Sequence, residues 1–351
     1  MLPCETESAR ESMTATEPID PSNASRMTPL RATVQIIGFA CGVALLMWCA
    51  RLALRDENRP YLERILNASL PEVALMIGLC IASLIANGFL FVLVIRPLYR
   101  VHAISMCATN AVATFLNNFP FKVSILARFL IHSRRDRLSL STVFAWLAAT
   151  AAVIFTVLIP PIASTLMNPA VDVKWWALTI TGLVVCIVVL ITISKLLARM
   201  MQRAIDGSSF FVKLLSRVHE SPAMTAVPTA VVGGVAMRLI DTVLIALRFS
   251  LAARLAGVET QPGTIVLASS LYFLIGAITP AGAIGARDGG TFGILKFLPA
   301  AGVIKTEFAV VILTVTASEF VVNLCAAAVS SLYLRFSTSK PAVAVTPSTL
   351  H

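Results

Sequence analysis

The sequence predicts an all-α polytopic membrane protein, with about six full transmembrane helices and two re-entrant, broken helical hairpins arranged as an inverted repeat. Three observations support this fold class. The 351 residues are 57% hydrophobic and only 13% charged, with a mean hydropathy of +0.85, whereas soluble domains carry about 25% charged residues. Several apolar runs reach the roughly 20 residues needed to cross the hydrocarbon core. Two further apolar stretches are interrupted by proline and glycine at corresponding places in the two halves of the chain.

The full spans are predicted from continuous apolar runs, at residues 33–53, 73–95, 141–164, 176–196, 226–253 and 307–334. We expect one transmembrane domain over 32–335, whose inverted halves cover about 32–165 and 175–335. The terminal segments 1–31 and 336–351 are polar and contain proline, so they are predicted to be disordered cytoplasmic tails.

The two interrupted stretches predict hairpins that enter and leave the membrane on the same face. The first, 101–131, breaks at the Asn-Asn-Phe-Pro sequence 117–120, and the second, 264–303, breaks at the glycine-rich sequence 280–290. Unwound, charged backbone at membrane depth is tolerated only where it is buried in protein or lines a wet cavity. Two alternatives stay open at this point. First, the second stretch also suits two short crossings, which would make eight helices. Second, the match between the two hairpins would be a coincidence rather than a repeat.

Positive charge predicts the orientation of the spans. Residues 96–137 carry seven lysine or arginine side chains and residues 195–217 are also basic, whereas the connection 168–175 has one basic residue, Lys174. Both termini are therefore expected in the cytoplasm. The arginine-rich loop 51–64 fits this orientation least well, because the orientation places this loop on the outer face of the membrane. The net charge of +10 is spread over loops rather than over a soluble basic domain, so no nucleic-acid partner is expected.

Catalytic and metal-binding motifs are missing from the sequence. There is no paired-carboxylate motif, no HExxH, no serine elbow and no phosphate-binding loop, and the seven cysteines form no CxxC or Cys/His cluster. The cysteines are predicted to be small buried apolar side chains. We therefore expect no catalytic residues, no cofactor and no metal, and a protein that is not an enzyme.

Charged residues within the apolar segments are the first candidates for a functional site. Arg287 and Asp288 lie in a glycine-rich turn that opens a helix. Glycine allows close backbone approach, and the free N–H groups of a helix N-terminus suit a phosphate. With Arg128 near the first break, these residues predict a lipid-phosphate site. The alternative is that Arg287 and Asp288 pair only to lock the turn.

The fifth span carries Arg238, Asp241 and Arg248, whose spacing places them on roughly one helix face. A structural salt bridge between Arg238 and Asp241 is favoured, whereas Arg248 has the alternative of reaching the outer interface along its aliphatic stem. Glu319 lies in the middle of the last span. It is expected to pair with one of the arginines, or to carry a proton if transport is coupled to protons.

The two broken stretches resemble motifs of the lysylphosphatidylglycerol synthase transmembrane-region family, the membrane half of bacterial aminoacyl-phosphatidylglycerol synthase/flippases. The residues that match its second motif are Pro280, Gly282, Gly285, Arg287 and Gly289, with Asp288 in place of Glu. Those that match the first are Asn117, Pro120, Lys122 and Arg128. Ser124 and Ile125 depart from it, where glycine and an acidic residue are usual. The resemblance covers about 33–334 and implies a stand-alone, flippase-like member without the synthase domain.

The resemblance and the intramembrane charges together imply binding or translocation of an anionic phospholipid, or a lipid-linked precursor, through a central polar cavity. The expected partners are membrane lipids with anionic headgroups, with a second copy of the chain or a lipid-biosynthesis enzyme as further candidates. Two alternatives are a non-transporting scaffold for a lipid- or glycan-modifying enzyme, and an integral lipid-modifying enzyme. The candidate substrate-binding residues are Arg128, Arg287, Asp288, Pro280, Gly282, Gly285, Gly289, Pro120, Asn117, Arg238, Asp241 and Glu319.

Overall fold

The structure, a computed structural model, describes residues 29–119, 123–205, 220–279, 285–298, 306–337 and 343–344. Twelve α-helices are formed by these residues. Those of the first half are α1 (Pro29–Ala53), α2 (Arg59–Leu66), α3 (Leu70–Ile95), α4 (Ala103–Leu116), α5 (Val123–Ile131) and α6 (Leu140–Met167). Those of the second half are α7 (Val173–Ile205), α8 (Glu220–Ala226), α9 (Pro228–Ala256), α10 (Pro262–Ile278), α11 (Ala286–Phe297) and α12 (Phe308–Phe336).

Short elements complete the described chain. A 3₁₀ turn covers Asp56–Asn58 and a π-helical turn covers His132–Asp136. Two-residue strands, β1 (Tyr99–Arg100) and β2 (Val343–Ala344), pair antiparallel. The strand β2 therefore gives one point of order within the segment expected to be a disordered C-terminal tail, and most of both predicted tails lies outside the described residues.

Six long apolar helices confirm the six predicted spans. Their apolar stretches are Ile36–Ala53, Leu70–Ile95, Leu140–Met167, Val173–Met200, Pro228–Ala256 and Phe308–Phe336. The predicted boundaries differ from these by a few residues, because the helices continue into polar residues beyond the apolar runs from which the spans were predicted. Only 6% of the apolar stretch of α7 is buried, so this helix presents apolar side chains outward, as expected of a lipid-facing surface.

The two interrupted stretches form helix pairs whose arms are short. The first pair, α4 and α5, has 14 and 9 residues, and the second, α10 and α11, has 17 and 12. At a rise of 1.5 Å per residue, the longest arm extends roughly 26 Å and the shortest roughly 14 Å. The hydrocarbon core is about 30 Å thick. These lengths fit broken hairpins better than the alternative of two short crossings. The tips 120–122 and 280–284 lie outside the described residues.

The packing of the helices confirms the predicted repeat. α12 packs along α4 as α6 packs along α10, and α1 contacts α12 as α7 contacts α6. The contacts of α3 with α4 correspond to those of α9 with α10, and the counterpart helices α3 and α9 form the most extensive helix pair. Each half contains three long apolar helices. An odd number of spans in each half is what an inverted repeat requires.

Small residues explain how α3 and α9 approach each other so closely. A Cβ atom on Gly234 of α9 would lie 3.3 Å from side-chain atoms of Val94 and Val153 and 3.4 Å from Leu90. Helices in lipid associate through such close packing, because the membrane supplies little hydrophobic driving force between them. Buried side chains form two clusters, one around Trp146 and one around Phe249, and each cluster contains residues of both halves.

The connection between α6 and α7 is ordered by one carboxylate. Asp172 accepts hydrogen bonds from the backbone N–H of Trp175 at 2.9 Å and from the side-chain amide of Asn168 at 2.7 Å. Trp175 in turn donates from its indole nitrogen to the hydroxyl of Thr165 at 2.9 Å. The bond from the Trp175 N–H is the main cause that holds the pKa of Asp172 below its ordinary value of 3.8.

Candidate functional site

A cavity of about 260 Å³ lies between the two hairpins, near the centre of the bundle. Eight helices contribute to its wall, namely α3 to α6 and α9 to α12. Its charged lining consists of Arg128 from α5, Arg248 from α9, Arg287 from α11 and Glu319 from α12. The remaining lining is polar near the first hairpin, where Asn117 follows α4, and apolar along α6.

Arg128 is a buried cation without a carboxylate partner among the described residues. Its side chain is only 7% exposed. Nη2 donates to Oδ1 of Asn110 at 2.7 Å, and the guanidinium carbon lies 4.1 Å from the centroid of the Phe91 ring. Nη1 is buried and has no partner in the described part of the chain. The sequences of the two hairpin tips outside the described residues contain no acidic residue. A buried charge without a counter-ion is costly, so the site favours an anion.

Glu319 is shared by two arginines. Arg287 donates from Nη1 to Oε1 of Glu319 at 2.9 Å, and Arg248 donates from Nη1 to Oε2 at 3.3 Å. The hydroxyl of Tyr272 donates to Oε2 at 3.4 Å, and the ring of Tyr272 lies 4.4 Å from the guanidinium carbon of Arg287. One carboxylate therefore balances two guanidinium groups at the cavity wall, which leaves this part of the wall positively charged.

Asp288 has a structural environment beside the cavity. Its Oδ2 accepts the backbone N–H of Gly285 at 2.9 Å, and its Oδ1 accepts the hydroxyl of Thr316 on α12. The carboxylate thus satisfies a free N–H at the start of α11, as an acidic third residue of a helix does, and ties the hairpin to α12. In the described structure Arg287 pairs with Glu319, rather than with Asp288 as the alternative of a locked turn required.

Two of the candidate glycines lie against the first helix. Gly285 has a φ of 76°, and a Cβ atom there would lie 1.8 Å from the carbonyl oxygen of Gly42 in α1. A Cβ atom on Gly289 would lie 2.7 Å from Cβ of Leu45. The close backbone approach that the sequence predicted at these glycines is thus an approach of α11 to α1. The other candidates at the tips, Pro120, Pro280 and Gly282, lie outside the described residues.

Arg238 and Asp241 form a buried ion pair away from the cavity lining. Both side chains are almost fully buried, and the guanidinium group of Arg238 donates to the Asp241 carboxylate. The carboxylate also accepts the hydroxyl of Ser83 from α3, and the guanidinium carbon of Arg238 lies 3.3 Å from the ring centroid of Phe273. This is the structural salt bridge that the sequence favoured. It holds α9 to α3 and α10.

Arg248 does not reach the outer interface, which was the alternative that the sequence left open for it. Arg248 is 2% exposed, and its guanidinium group contacts Glu319 and the Cys80 thiol inside the bundle. It therefore belongs to the cavity wall, although it was not among the candidate site residues. Among the described residues of the spans and hairpin helices, four arginines are buried and the carboxylates beside them are three, Asp241, Asp288 and Glu319, so one positive charge is left over. Arg128 is the one whose charge no carboxylate of the described chain balances.

The structure brings together part of the predicted site. Arg128, Asn117, Arg287 and Glu319, which lie far apart in sequence, line one cavity. Tyr272 was missed, and the signal for it was a hydroxyl-bearing ring beside two serines, Ser269 and Ser270, within an apolar helix. Asn110 was also missed as a site residue, although an amide in the middle of an apolar segment is itself a sign of an internal partner.

These features define a multi-pass helical membrane protein with a charged central cavity. Comparisons with protein-family models, with curated proteins and with solved structures found no match to this chain. The motif resemblance to the lysylphosphatidylglycerol synthase transmembrane-region family therefore stays a prediction from the sequence.

Proposed function

We propose that the protein binds the phosphate of an anionic phospholipid, or of a lipid-linked precursor, in the central cavity and carries that lipid across the membrane. The observation that carries this proposal is Arg128, a buried guanidinium group with one unsatisfied nitrogen and no carboxylate partner in the described chain. A phosphate oxygen at this group would make a charge-assisted hydrogen bond.

The remaining cavity wall suits an amphiphile better than a soluble anion. Leu147, Ala151 and Ile154 of α6 contribute apolar side chains to the cavity wall, alongside Thr150 of the same helix. A lipid places its phosphate next to a glycerol backbone and acyl chains, so it would match both sides of such a wall. Binding sites of this kind combine a mostly apolar lining with a few placed polar groups.

The position of the cavity supports transport. It lies between two broken hairpins that belong to oppositely oriented halves of the bundle, which is where secondary transporters place their substrate site. The motif resemblance supports the same function. Under this proposal the protein works in the bacterial cytoplasmic membrane with both termini in the cytoplasm.

The proposal is tested with purified protein in liposomes that contain acyl-labelled fluorescent phosphatidylglycerol or phosphatidylcholine. Exchange between leaflets is followed by the loss of fluorescence when an impermeant reductant is added outside. We expect the protein to accelerate exchange of phosphatidylglycerol more than that of phosphatidylcholine, and Arg128→Gln to slow it at least about tenfold, as the loss of one bond to a charged group predicts. The matched control is Arg254→Gln, because Arg254 is 69% exposed and pairs with Glu72 at the surface.

Equal rates in protein-containing and empty liposomes, over several anionic lipid classes and ion gradients, would refute transport. The scaffold alternative makes a different prediction. Under it, Arg287→Ala abolishes co-purification of a partner protein, while the distribution of lipids between leaflets is the same with and without the protein.

A further inference from the structure

We propose that Glu319 is an internal counter-anion that takes up a proton when the anionic ligand enters the cavity, so that each ligand is bound together with one proton. This inference rests on the proposed function, because it requires an anionic ligand at the arginines. It assigns a second ligand, the proton, to a defined carboxylate on α12.

The geometry places Glu319 where a phosphate would compete with it. Its two oxygens accept hydrogen bonds from Nη1 of Arg287 and Nη1 of Arg248, and the side chain is 14% exposed towards the cavity. The Nε atoms of both arginines are buried and have no partner among the described residues. A phosphate in this cavity therefore meets guanidinium groups that still have donors to offer, and a carboxylate that already uses others.

Two anions in a cavity of about 260 Å³ repel each other, and burial penalises both charges. A like charge nearby and a poorly solvating environment each favour the neutral form of a carboxyl group. A neutral Glu319 has a use in this setting, because its O–H can donate to a phosphate oxygen while its carbonyl oxygen still accepts the Tyr272 hydroxyl. No covalent bond changes, and the proton comes from the solution that reaches the cavity.

The surrounding groups point to Glu319 rather than to another carboxylate. The buried or half-buried titratable and charged groups of the described residues on the helices around it include Cys49 on α1, Cys80 on α3, Cys107 on α4, Arg128 on α5, Arg238, Asp241 and Arg248 on α9, Tyr272 on α10, and Arg287 and Asp288 on α11. Asp241 is held by Arg238 and Ser83, and Asp288 by Gly285 and Thr316. Among the described carboxylates, Glu319 is the one that lines the cavity.

The experiment measures binding of dihexanoyl phosphatidylglycerol to the full-length protein in detergent by calorimetry, between pH 5.5 and 8.5, in buffers of different ionisation enthalpy. Its phosphodiester keeps one negative charge throughout this range. If the bound state holds one more proton than the free state, affinity decreases as pH rises, by up to about tenfold per pH unit. We expect uptake of close to one proton per ligand by the wild type. Glu319→Gln should bind without proton uptake and without this pH dependence.

The control is Glu72→Gln, which removes an ion-paired carboxylate at the surface and should keep the wild-type pH dependence. The wild-type measurement tests proton uptake even if Glu319→Gln fails to fold, and proton uptake by a folded Glu319→Gln variant would overturn the assignment to this carboxylate. Wild-type binding without proton uptake would overturn the inference and leave the proposed function standing. No binding of phosphatidylglycerol or phosphatidic acid at any pH would overturn the proposed function itself. Equal affinity for glycerophosphoglycerol, the same headgroup without acyl chains, would overturn its lipid part.

Discussion

Replacement of Arg128 by glutamine separates a binding role from a structural one. An arginine that serves the fold is paired, and its loss leaves a partner exposed to an unfavourable environment. Arg128 has a single hydrogen bond, to Asn110, and a contact with the Phe91 ring. We expect Arg128→Gln to weaken binding of an anionic lipid strongly while it changes the stability of the protein little.

The magnitudes follow from these contacts. The variant loses a hydrogen bond to a charged donor, about 1.5–3 kcal/mol, and a cation–π contact, about 0.5–2 kcal/mol. The variant also removes two features that destabilise the wild type. One is the uncompensated charge, and the other is a buried N–H without a partner, which costs the folded state about 1–3 kcal/mol. These contributions offset each other, so the change in free energy of unfolding should stay within about 1 kcal/mol. The lost bond to the phosphate should weaken binding by about 1.5–3 kcal/mol, or roughly 10- to 150-fold.

The assay is a pair of measurements on each purified variant in detergent: the midpoint of thermal unfolding, and the dissociation constant for dihexanoyl phosphatidylglycerol. Arg238→Gln is the contrasting variant, because it leaves Asp241 buried without its cation, and Arg254→Gln is the neutral surface control. If Arg128→Gln lowered the unfolding midpoint as far as Arg238→Gln and left the dissociation constant unchanged, Arg128 would be a structural residue and the reasoning would be refuted.

Three further predictions test the fold. Gly285→Ala should destabilise the protein by more than about 2 kcal/mol, because the φ of Gly285 is positive and the new methyl group meets backbone. Gly293→Ala, within α11 and with open space around it, should stabilise the protein by up to about 1 kcal/mol. Equal unfolding midpoints of the two variants would contradict this prediction. Arg238→Gln and Asp241→Asn should each cost about 3–5 kcal/mol, and the double variant less than their sum; additive costs would show that the pair is not coupled. The bonds to Asp172 should stabilise the folded state fully above pH 3.8 and lose this effect as pH falls through the lowered pKa of that carboxyl. The difference in unfolding midpoint between wild type and Asp172→Asn should shrink as the pH falls through this range, and a constant difference would contradict the prediction.

The spans and the hairpins were predictable from the sequence for a physical reason. A membrane imposes a minimum apolar length on any helix that crosses it, so uninterrupted apolar runs reported the six spans directly. Two of the hairpin helices end at Leu116 and Ile278, shortly before the prolines at 120 and 280 from which the breaks were predicted, because proline lacks a backbone donor. The correspondence between the two halves was visible as a repeated order of these features.

The partners of the buried charges were decided by tertiary structure alone. Glu319 is 32 residues from Arg287 and 71 from Arg248, and no local spacing rule connects them. Which charges pair depends on which faces of α9, α11 and α12 meet, and that depends on packing over the whole bundle. The same holds for Gly285, whose neighbour is the first helix. The sequence by itself determined which segments are apolar enough to cross the membrane and which charges lie within them, whereas only the packing of the halves left Arg128 without a carboxylate partner among the described residues.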